Sequence, residues 1–147
     1  MPGIYLDSCI VIYLVEGAAR LRERIGAGLF SAAEGVAHVV VSDLTRLECR
    51  VGPLRIGDGE RLASYERFFA SRNVTTIPLT TDVVDRATEL RARHGLRTPD
   101  ALHVAAGICA GCDLFLTNDR RLRALGAPGE RMAVRTLEDI GISFDDV

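Results

Sequence analysis

The sequence places four acidic residues where their carboxylates can act together: Asp7, Glu48, Asp100 and Asp119. Asp7 and Asp119 each come at the end of a short apolar run that is typical of a buried strand. Asp100 falls in the first turn of a predicted helix. In parallel sheets, ligands bind beyond the carboxyl ends of the strands, where the strand order reverses. We therefore expect these acids at one rim of the fold.

Glu48 adds a second signal. It shares the spacing i, i+3, i+4, i+7 with Leu44, Leu47 and Val51, which predicts one buried stripe of a helix. A carboxylate on such a stripe is costly unless it is paired. Arg46 and Arg50 lie close enough in sequence to pair with it; otherwise Glu48 is expected to face the acidic rim.

Carboxylates gathered in this way favour a bound cation. Two of them ~4 Å apart repel by about 4 kcal/mol at an effective dielectric of ~20. Oxygen ligands select hard ions such as Mg²⁺ or Mn²⁺. Such an ion lowers the pKa of a water it holds, and a second ion steadies a leaving oxygen. The chemistry that this arrangement predicts is hydrolysis of a phosphodiester.

The elements that must position these residues alternate between strand and helix. Strands are predicted at 4–6, 38–41, 74–77, 113–117 and 132–135. Helices are predicted at 9–15, 18–34, 43–51, 60–71, 82–94, 99–109 and 119–125, with Gly52-Pro53 and 57–59 as breaks. Ser8 and Thr98 are the predicted N-caps of the first and sixth of these helices, and Gly95 is the predicted stop of the fifth. This order indicates a parallel sheet covered on both faces. We predict a single α/β domain over 1–147, with three α/β/α layers and four to five central strands.

Composition excludes several functions. All 18 basic residues are arginine and the formal charge is −2, so neither a lysine amine nor a strongly basic coat is available. A phosphorylation receiver and an aspartyl-phosphate phosphatase both use a lysine. A non-catalytic RNA-binding module needs a basic face with aromatic stacking positions, and this chain is poor in aromatic residues.

No apolar run approaches the ~18 residues of a membrane span, and the start does not resemble a signal peptide, so we expect a cytoplasmic protein.

The Cys109-x-x-Cys112 pair is the basis for a redox alternative. The pair lies at the end of a predicted helix, where the dipole disfavours a thiolate, whereas reactive pairs prefer the N-terminus. We interpret these cysteines, like Cys9 and Cys49, as free thiols that serve packing. His103, three residues after Asp100, is interpreted as a buried, hydrogen-bonded histidine rather than a general base.

Four segments carry a resemblance to a known family: Tyr5-Leu6-Asp7-Ser8-Cys9, the run 42–48 (SDLTRLE), the run 98–106 (TPDALHVAA) and the run 115–122 (FLTNDRRL). In order and spacing the chain resembles the PIN-domain ribonucleases, and most closely the VapC-like toxins of type II toxin–antitoxin modules. The likeness spans essentially the whole chain. The last two segments together are the most specific.

The resemblance implies a Mg²⁺- or Mn²⁺-dependent endoribonuclease. Asp7 and Asp100 would be the main metal ligands, and Asp119 would complete the metal site directly or through water. Glu48 would bind a second ion or orient the attacking water. Three further residues would orient these groups by hydrogen bonds: Ser8, Thr117 and Asn118.

The resemblance also implies partners. They are an RNA substrate, a second copy of the chain in a homodimer, and an antitoxin whose segment occupies the acidic cleft. Family members often carry lysines near the RNA; in this chain Arg46, Arg50, Arg120 and Arg121 are the candidate phosphate contacts. The segment 50–59 is expected to be a loop with substrate or antitoxin contacts. The alternative is a PIN-type nuclease of RNA processing or DNA cleavage outside a toxin–antitoxin system.

Overall fold

Five parallel strands form one sheet. The computed structural model describes residues 3–32, 38–125 and 131–143. The strands are β1 Gly3–Leu6, β2 His38–Ser42, β3 Val74–Ile77, β4 Leu114–Thr117 and β5 Ala133–Thr136, in the order β3-β2-β1-β4-β5. The order reverses between β1 and β4, so the predicted ligand position lies beyond the carboxyl ends of these two strands.

Helices cover both faces of the sheet. They are α1 Ser8–Glu16, α2 Ala19–Ala32, α3 Asp43–Ile56, α4 Gly59–Ala70, α5 Thr81–His94 and α6 Thr98–Cys109, with short 3₁₀ helices at Arg120–Leu125 and Glu138–Ile140. One apolar core lies under α1 to α4 and the other under α5, α6 and the first 3₁₀ helix. The predicted three-layer α/β/α class is confirmed.

Side-chain alternation along β1 divides the two cores. Tyr5 belongs to the core under α5 and α6, where its ring stacks on Phe115 at 5.3 Å and 5°. Ile4 and Leu6 belong to the opposite core. All three side chains are buried, as expected of a central parallel strand. The next residue, Asp7, therefore lies at the carboxyl end of β1, at the edge of the sheet.

Helix α3 differs from its prediction. Gly52-Pro53 does not end it; the helix continues to Ile56 and stops at Gly57, whose φ of 70° is left-handed. Its buried residues are Thr45, Cys49 and Pro53, so the proline packs inward as part of a stripe at i, i+4 and i+8. Packing outweighs the helix-breaking tendency at this proline, and the segment 50–59 is mostly helix rather than loop.

Other boundaries move by one residue or a few. Asp7, rather than Ser8, caps α1, and Thr98 is the first residue of α6 instead of its cap. Gly95 follows α5 in the left-handed conformation, as predicted. The end of the helix predicted at 18–34 lies beyond Ala32, outside the described residues. Among the described residues, no helix is long and apolar enough to cross a membrane.

Candidate active site

Asp7 stands at the centre of the site. Its side chain is 14% exposed and accepts hydrogen bonds from the Ser8 backbone N–H (2.9 Å) and the Thr117 hydroxyl (2.8 Å). Burial raises the pKa of the Asp7 carboxyl. A positive charge on nearby His103 lowers this pKa, and the negative charge of Asp100 raises it. Asp7 is thus a largely buried carboxylate that accepts hydrogen bonds from neutral donors and lies within electrostatic range of Asp100.

Thr117 joins the ends of the two central strands. It is buried at the last position of β4, and its hydroxyl donates to Asp7 while accepting from the Asp119 backbone N–H at 3.1 Å. Asp7 N–H also donates to the Leu116 carbonyl (2.9 Å). The reversal point of the sheet therefore fixes both segments that carry the predicted acids.

Glu48 reaches the site from α3, but not for the predicted reason. Leu47 and Val51 are 60% and 45% exposed, so the stripe predicted for Glu48 faces solvent and is not a buried face. The Glu48 carboxylate lies at the inner border of this face, where Oε1 accepts from the Ser8 hydroxyl (2.8 Å) and lies 2.5 Å from His103 Nε2. These contacts, with the His103 hydrogen bond first, lower the pKa of Glu48.

Asp100 is brought to the same rim by the first turn of α6. Its side chain is 14% exposed, and Oδ2 accepts from Arg97 Nε at 2.9 Å. Arg97, itself 67% exposed, was not singled out from the sequence. The signal was present, because Arg97 and Asp100 have the i, i+3 spacing that makes helical side chains neighbours.

Asp119 is held by an arginine as well. Arg121 makes a bidentate ion pair with both carboxylate oxygens, with contacts of 2.6 to 3.2 Å. This hydrogen bonding lowers the pKa of Asp119. The positive charge of Arg97 also lowers the pKa of Asp119, and the negative charge of Asp100 raises the pKa of Arg121. The Arg97–Asp100 and Arg121–Asp119 ion pairs therefore lie near each other.

The remaining predicted residues have other contacts. Arg46 pairs with Asp43, Arg50 with Glu66 and Arg120 with Glu138, at 3.3, 3.2 and 2.8 Å. Neither Arg46 nor Arg50 neutralises Glu48 in these contacts. The Asn118 amide lies 3.4 Å from the Tyr13 hydroxyl. The predicted roles of these residues remain predictions.

The four carboxylates lie at the same edge of the sheet, but they do not form a complete metal-binding site. Within residues 3–32, 38–125 and 131–143, no group of three or more His, Cys, Asp or Glu side chains is arranged to hold a metal. The expected crowding of all four acids is therefore met in part: Ser8 and His103 contact both Asp7 and Glu48, and Asp100 lies within electrostatic range of Asp7. The exposed guanidinium groups of Arg97 and Arg121 pair with Asp100 and Asp119 and offset the repulsion among the acids.

The donor chemistry nevertheless fits a hard cation. Asp7 is a desolvated carboxylate whose charge is disfavoured by burial and by Asp100, and a cation between them would relieve both costs. Arg97 and Arg121 are 67% and 69% exposed. Exposed ion pairs contribute little free energy, so an ion competes easily for Asp100 and Asp119.

The four cysteines are free thiols, as predicted, but the packing role fits Cys9, Cys49 and Cys112 and not the exposed Cys109. All are free; Cys49 and Cys112 are buried, and Cys109 is exposed. Burial raises the pKa of Cys9 to about 11 and that of Cys49 and Cys112 to about 12, and it also raises the pKa of Cys109. These groups are protonated thiols at neutral pH and therefore weak nucleophiles.

Cys109→Ser is consequently expected to leave catalysis within about twofold of wild type, since an exposed substitution of similar size rarely matters. The measurement is the rate of phosphodiester cleavage, together with the melting temperature. A large loss of activity with an unchanged melting temperature would revive the redox interpretation.

Comparison with known proteins agrees with this geometry. The family model described as the PIN domain matches residues 4–128. A toxin–antitoxin complex from Klebsiella pneumoniae has a similar fold, with a TM-score of 0.69 at 19% identity, covering 91% of this chain and 97% of that one. The structure of VapBC2 from Rickettsia felis, bound to a promoter DNA fragment, has a TM-score of 0.68 at 15% sequence identity, covering 91% of this chain and 98% of that one.

A third similar structure is VapC20 from Mycobacterium tuberculosis, described as a sarcin-ricin loop cleaving toxin. Its TM-score is 0.64 at 20% identity, with 84% of this chain and 95% of that chain covered. A comparison with curated proteins finds no match. At these identities the solved structures establish a shared fold.

Proposed function

The chain belongs to the PIN domain family, and from this premise we propose that it is a metal-dependent endoribonuclease acting as the toxin of a toxin–antitoxin module. The fold it shares with proteins described as toxin–antitoxin complexes supports the proposal. The observation that carries it is the largely buried Asp7 carboxylate beyond the carboxyl ends of β1 and β4, which Thr117 holds by a hydrogen bond. This carboxylate shares its contacts with Ser8 and His103 with Glu48.

Asp7, Asp100 and Asp119 would hold Mg²⁺ or Mn²⁺. Their donors are oxygens only, which favours hard ions over zinc or copper. When bound, such an ion supplies Lewis acidity towards a phosphate oxygen and acidifies a water. Thr117 and Ser8 keep the Asp7 and Glu48 carboxylates in place through the hydrogen bonds they donate.

Glu48 is the residue that we assign to the attacking water. Its pKa is lowered, so it is a carboxylate at neutral pH and can accept a hydrogen bond from water. Both Ser8 and His103 contact the same oxygen, Oε1. The second oxygen, Oε2, is thereby left to orient a water or a second ion.

Arginine takes the place of lysine in holding the RNA. Arg97 and Arg121 lie beside the acids, and Arg46, Arg50 and Arg120 lie in exposed ion pairs. Each guanidinium presents a planar fork that suits phosphate oxygens. With an ion held by Asp100 and Asp119, Arg97 and Arg121 would be available to the phosphates of the substrate.

The substrate that we propose is a structured cellular RNA such as tRNA or rRNA. One protein of similar fold is described as cleaving the sarcin-ricin loop. The proposed partners are an antitoxin, whose segment occupies the acidic cleft, and a second copy of the chain. The exposed apolar side chains of α3 (Leu47, Val51, Leu54 and Ile56) provide an apolar surface for a protein partner.

The deciding experiment is mapping of RNA 5′ ends after induced expression in bacteria. We expect growth arrest and new ends at a small set of positions with the wild type, and neither with Asp7→Asn. A coexpressed antitoxin, encoded directly upstream, should restore growth. Cleavage of DNA but not RNA by the purified protein would instead favour the PIN-type nuclease outside a toxin–antitoxin system.

A further inference from the structure

A chain of buried polar groups connects the centre of the sheet to Glu48. His103 is only 2% exposed, and its imidazole lies between the Tyr5 hydroxyl, 2.7 Å from Nδ1, and Glu48 Oε1, 2.5 Å from Nε2. The Tyr5 hydroxyl lies 2.9 Å from Ser42 Oγ. Buried polar groups of this kind are costly unless each has a partner, and in this chain of contacts each one has.

The two ends of this chain of contacts are the N-cap residue of α3, which is also the last residue of β2, and a residue inside α3. Ser42 is the N-cap of the helix, in a capping box with Thr45, and Glu48 lies nearly two turns further on. The path Ser42–Tyr5–His103–Glu48 therefore closes on a single helix, with β1 and α6 supplying the two middle residues. Such a closed path fixes the position of α3 relative to the sheet.

The rings in the middle of the path are immobilised by packing. Tyr5 is fully buried and stacks on Phe115, and its ring centroid is 5.8 Å from that of His103 at an angle of 59°. The imidazole consequently has little freedom to rotate. The Glu48 carboxylate only accepts hydrogen bonds, so Nε2 carries a proton and donates it to Oε1, while Nδ1 and the Tyr5 hydroxyl share the second hydrogen bond of the ring.

We propose that His103 is a positioning residue for the nuclease reaction, which holds Glu48 Oε1 so that Oε2 meets the attacking water or ion in one orientation. The inference rests on the proposed function for its kinetic consequences. It differs from a general-base role, because His103 acts through Glu48 and contacts no substrate.

Two amide substitutions separate positioning from mere packing. The His103→Gln side chain places its amide nitrogen near the position of Nε2 and keeps a donor for Glu48. The His103→Asn side chain is shorter and keeps a partner for Tyr5 but none for Glu48. We expect His103→Asn to lower kcat by about 10- to 100-fold, the usual loss when a group that orients a site residue is removed.

The His103→Asn variant should keep KM within about threefold of the wild-type value, because RNA binding by the arginines does not involve Glu48. The His103→Gln variant should have a kcat much closer to that of wild type. His94→Asn, at the exposed end of α5, is the matched control and should behave as wild type. Equal loss of kcat in the Gln and Asn variants, or no loss in the Asn variant, would overturn the proposal.

A spectroscopic measurement that does not depend on catalysis separates two outcomes: that His103 does not position Glu48, and that the protein is not a nuclease. In ¹H–¹⁵N spectra tuned to imidazole, His103 should show a proton on Nε2, and the signal of this proton should move in Glu48→Gln but not in Glu89→Gln on α5. A protein that shows this signature without cutting RNA would refute the nuclease while keeping the contact. A His103 signal indifferent to Glu48→Gln would refute the positioning itself.

Discussion

Asp7→Asn should abolish RNA cleavage, with a loss of more than about 100-fold, since changes merely beside metal ligands already cost 10- to 100-fold. The substitution removes a largely buried negative charge that lies within electrostatic range of Asp100. The measurement is the initial rate of RNA cleavage by purified protein with Mn²⁺ or Mg²⁺.

The fold should survive this substitution. Asparagine is a good N-cap, so its oxygen keeps the bond from the Ser8 N–H, and its amide can donate to Thr117 in place of the present bond. The raised pKa of Asp7 means that its ionised form costs stability at neutral pH, and this cost is relieved as pH falls through the folded pKa. The variant should thus melt at the same temperature as wild type or higher.

The matched control is Asp85→Asn, on the exposed face of α5. It makes the same chemical change at a position outside the four acids of the rim, and it should cleave RNA at the wild-type rate. Full activity in Asp7→Asn would refute the assignment of Asp7 to the metal. Asp100→Asn is expected to lose activity in the same way.

Removal of divalent ions is the second change with a large effect. EDTA should stop cleavage completely, and Mn²⁺ or Mg²⁺ added in excess should restore it. Because the ion binds the folded state, a concentration of about 100 times Kd adds about 2.7 kcal/mol to stability, which corresponds to a rise in melting temperature of about 5–10 °C.

Calorimetric melting with and without Mn²⁺ checks this second prediction. Asp7→Asn is the control that should lose the stabilisation, and Asp85→Asn the one that should keep it. Cleavage that continues in EDTA would count against the whole mechanism, and stabilisation that is equal in Asp7→Asn would show that the ion binds elsewhere.

The positions of the acids were predictable because the strands are short, apolar and parallel. Asp7 follows β1 and Asp119 follows β4, and the reversal of strand order between them places both at one edge. The Gly95 stop and the end of α6 at Cys109 followed from local rules. These features depend on residues close in sequence, which a single chain displays directly.

Features that depend on distant packing were missed. The helix α3 passes Pro53 because that proline is buried by its neighbours, and Glu48 is oriented by His103 instead of a buried stripe. The partner of His103, Tyr5, is 98 residues away in sequence. No periodicity or spacing reports such a contact. The ion pairs of Arg97 with Asp100 and of Arg121 with Asp119 join residues close in sequence, but that the two pairs lie near each other depends on packing between distant segments.

The central claim is that the rim between β1 and β4 binds a divalent cation. Crystals grown with MnCl₂ test it directly through anomalous scattering from manganese. We predict an anomalous peak in contact with the carboxylates of Asp7 and Asp100, with Arg97 displaced from Asp100. A map at saturating Mn²⁺ with no peak at this rim, and with Arg97 still paired to Asp100, would contradict the metal assignment and the nuclease mechanism built on it.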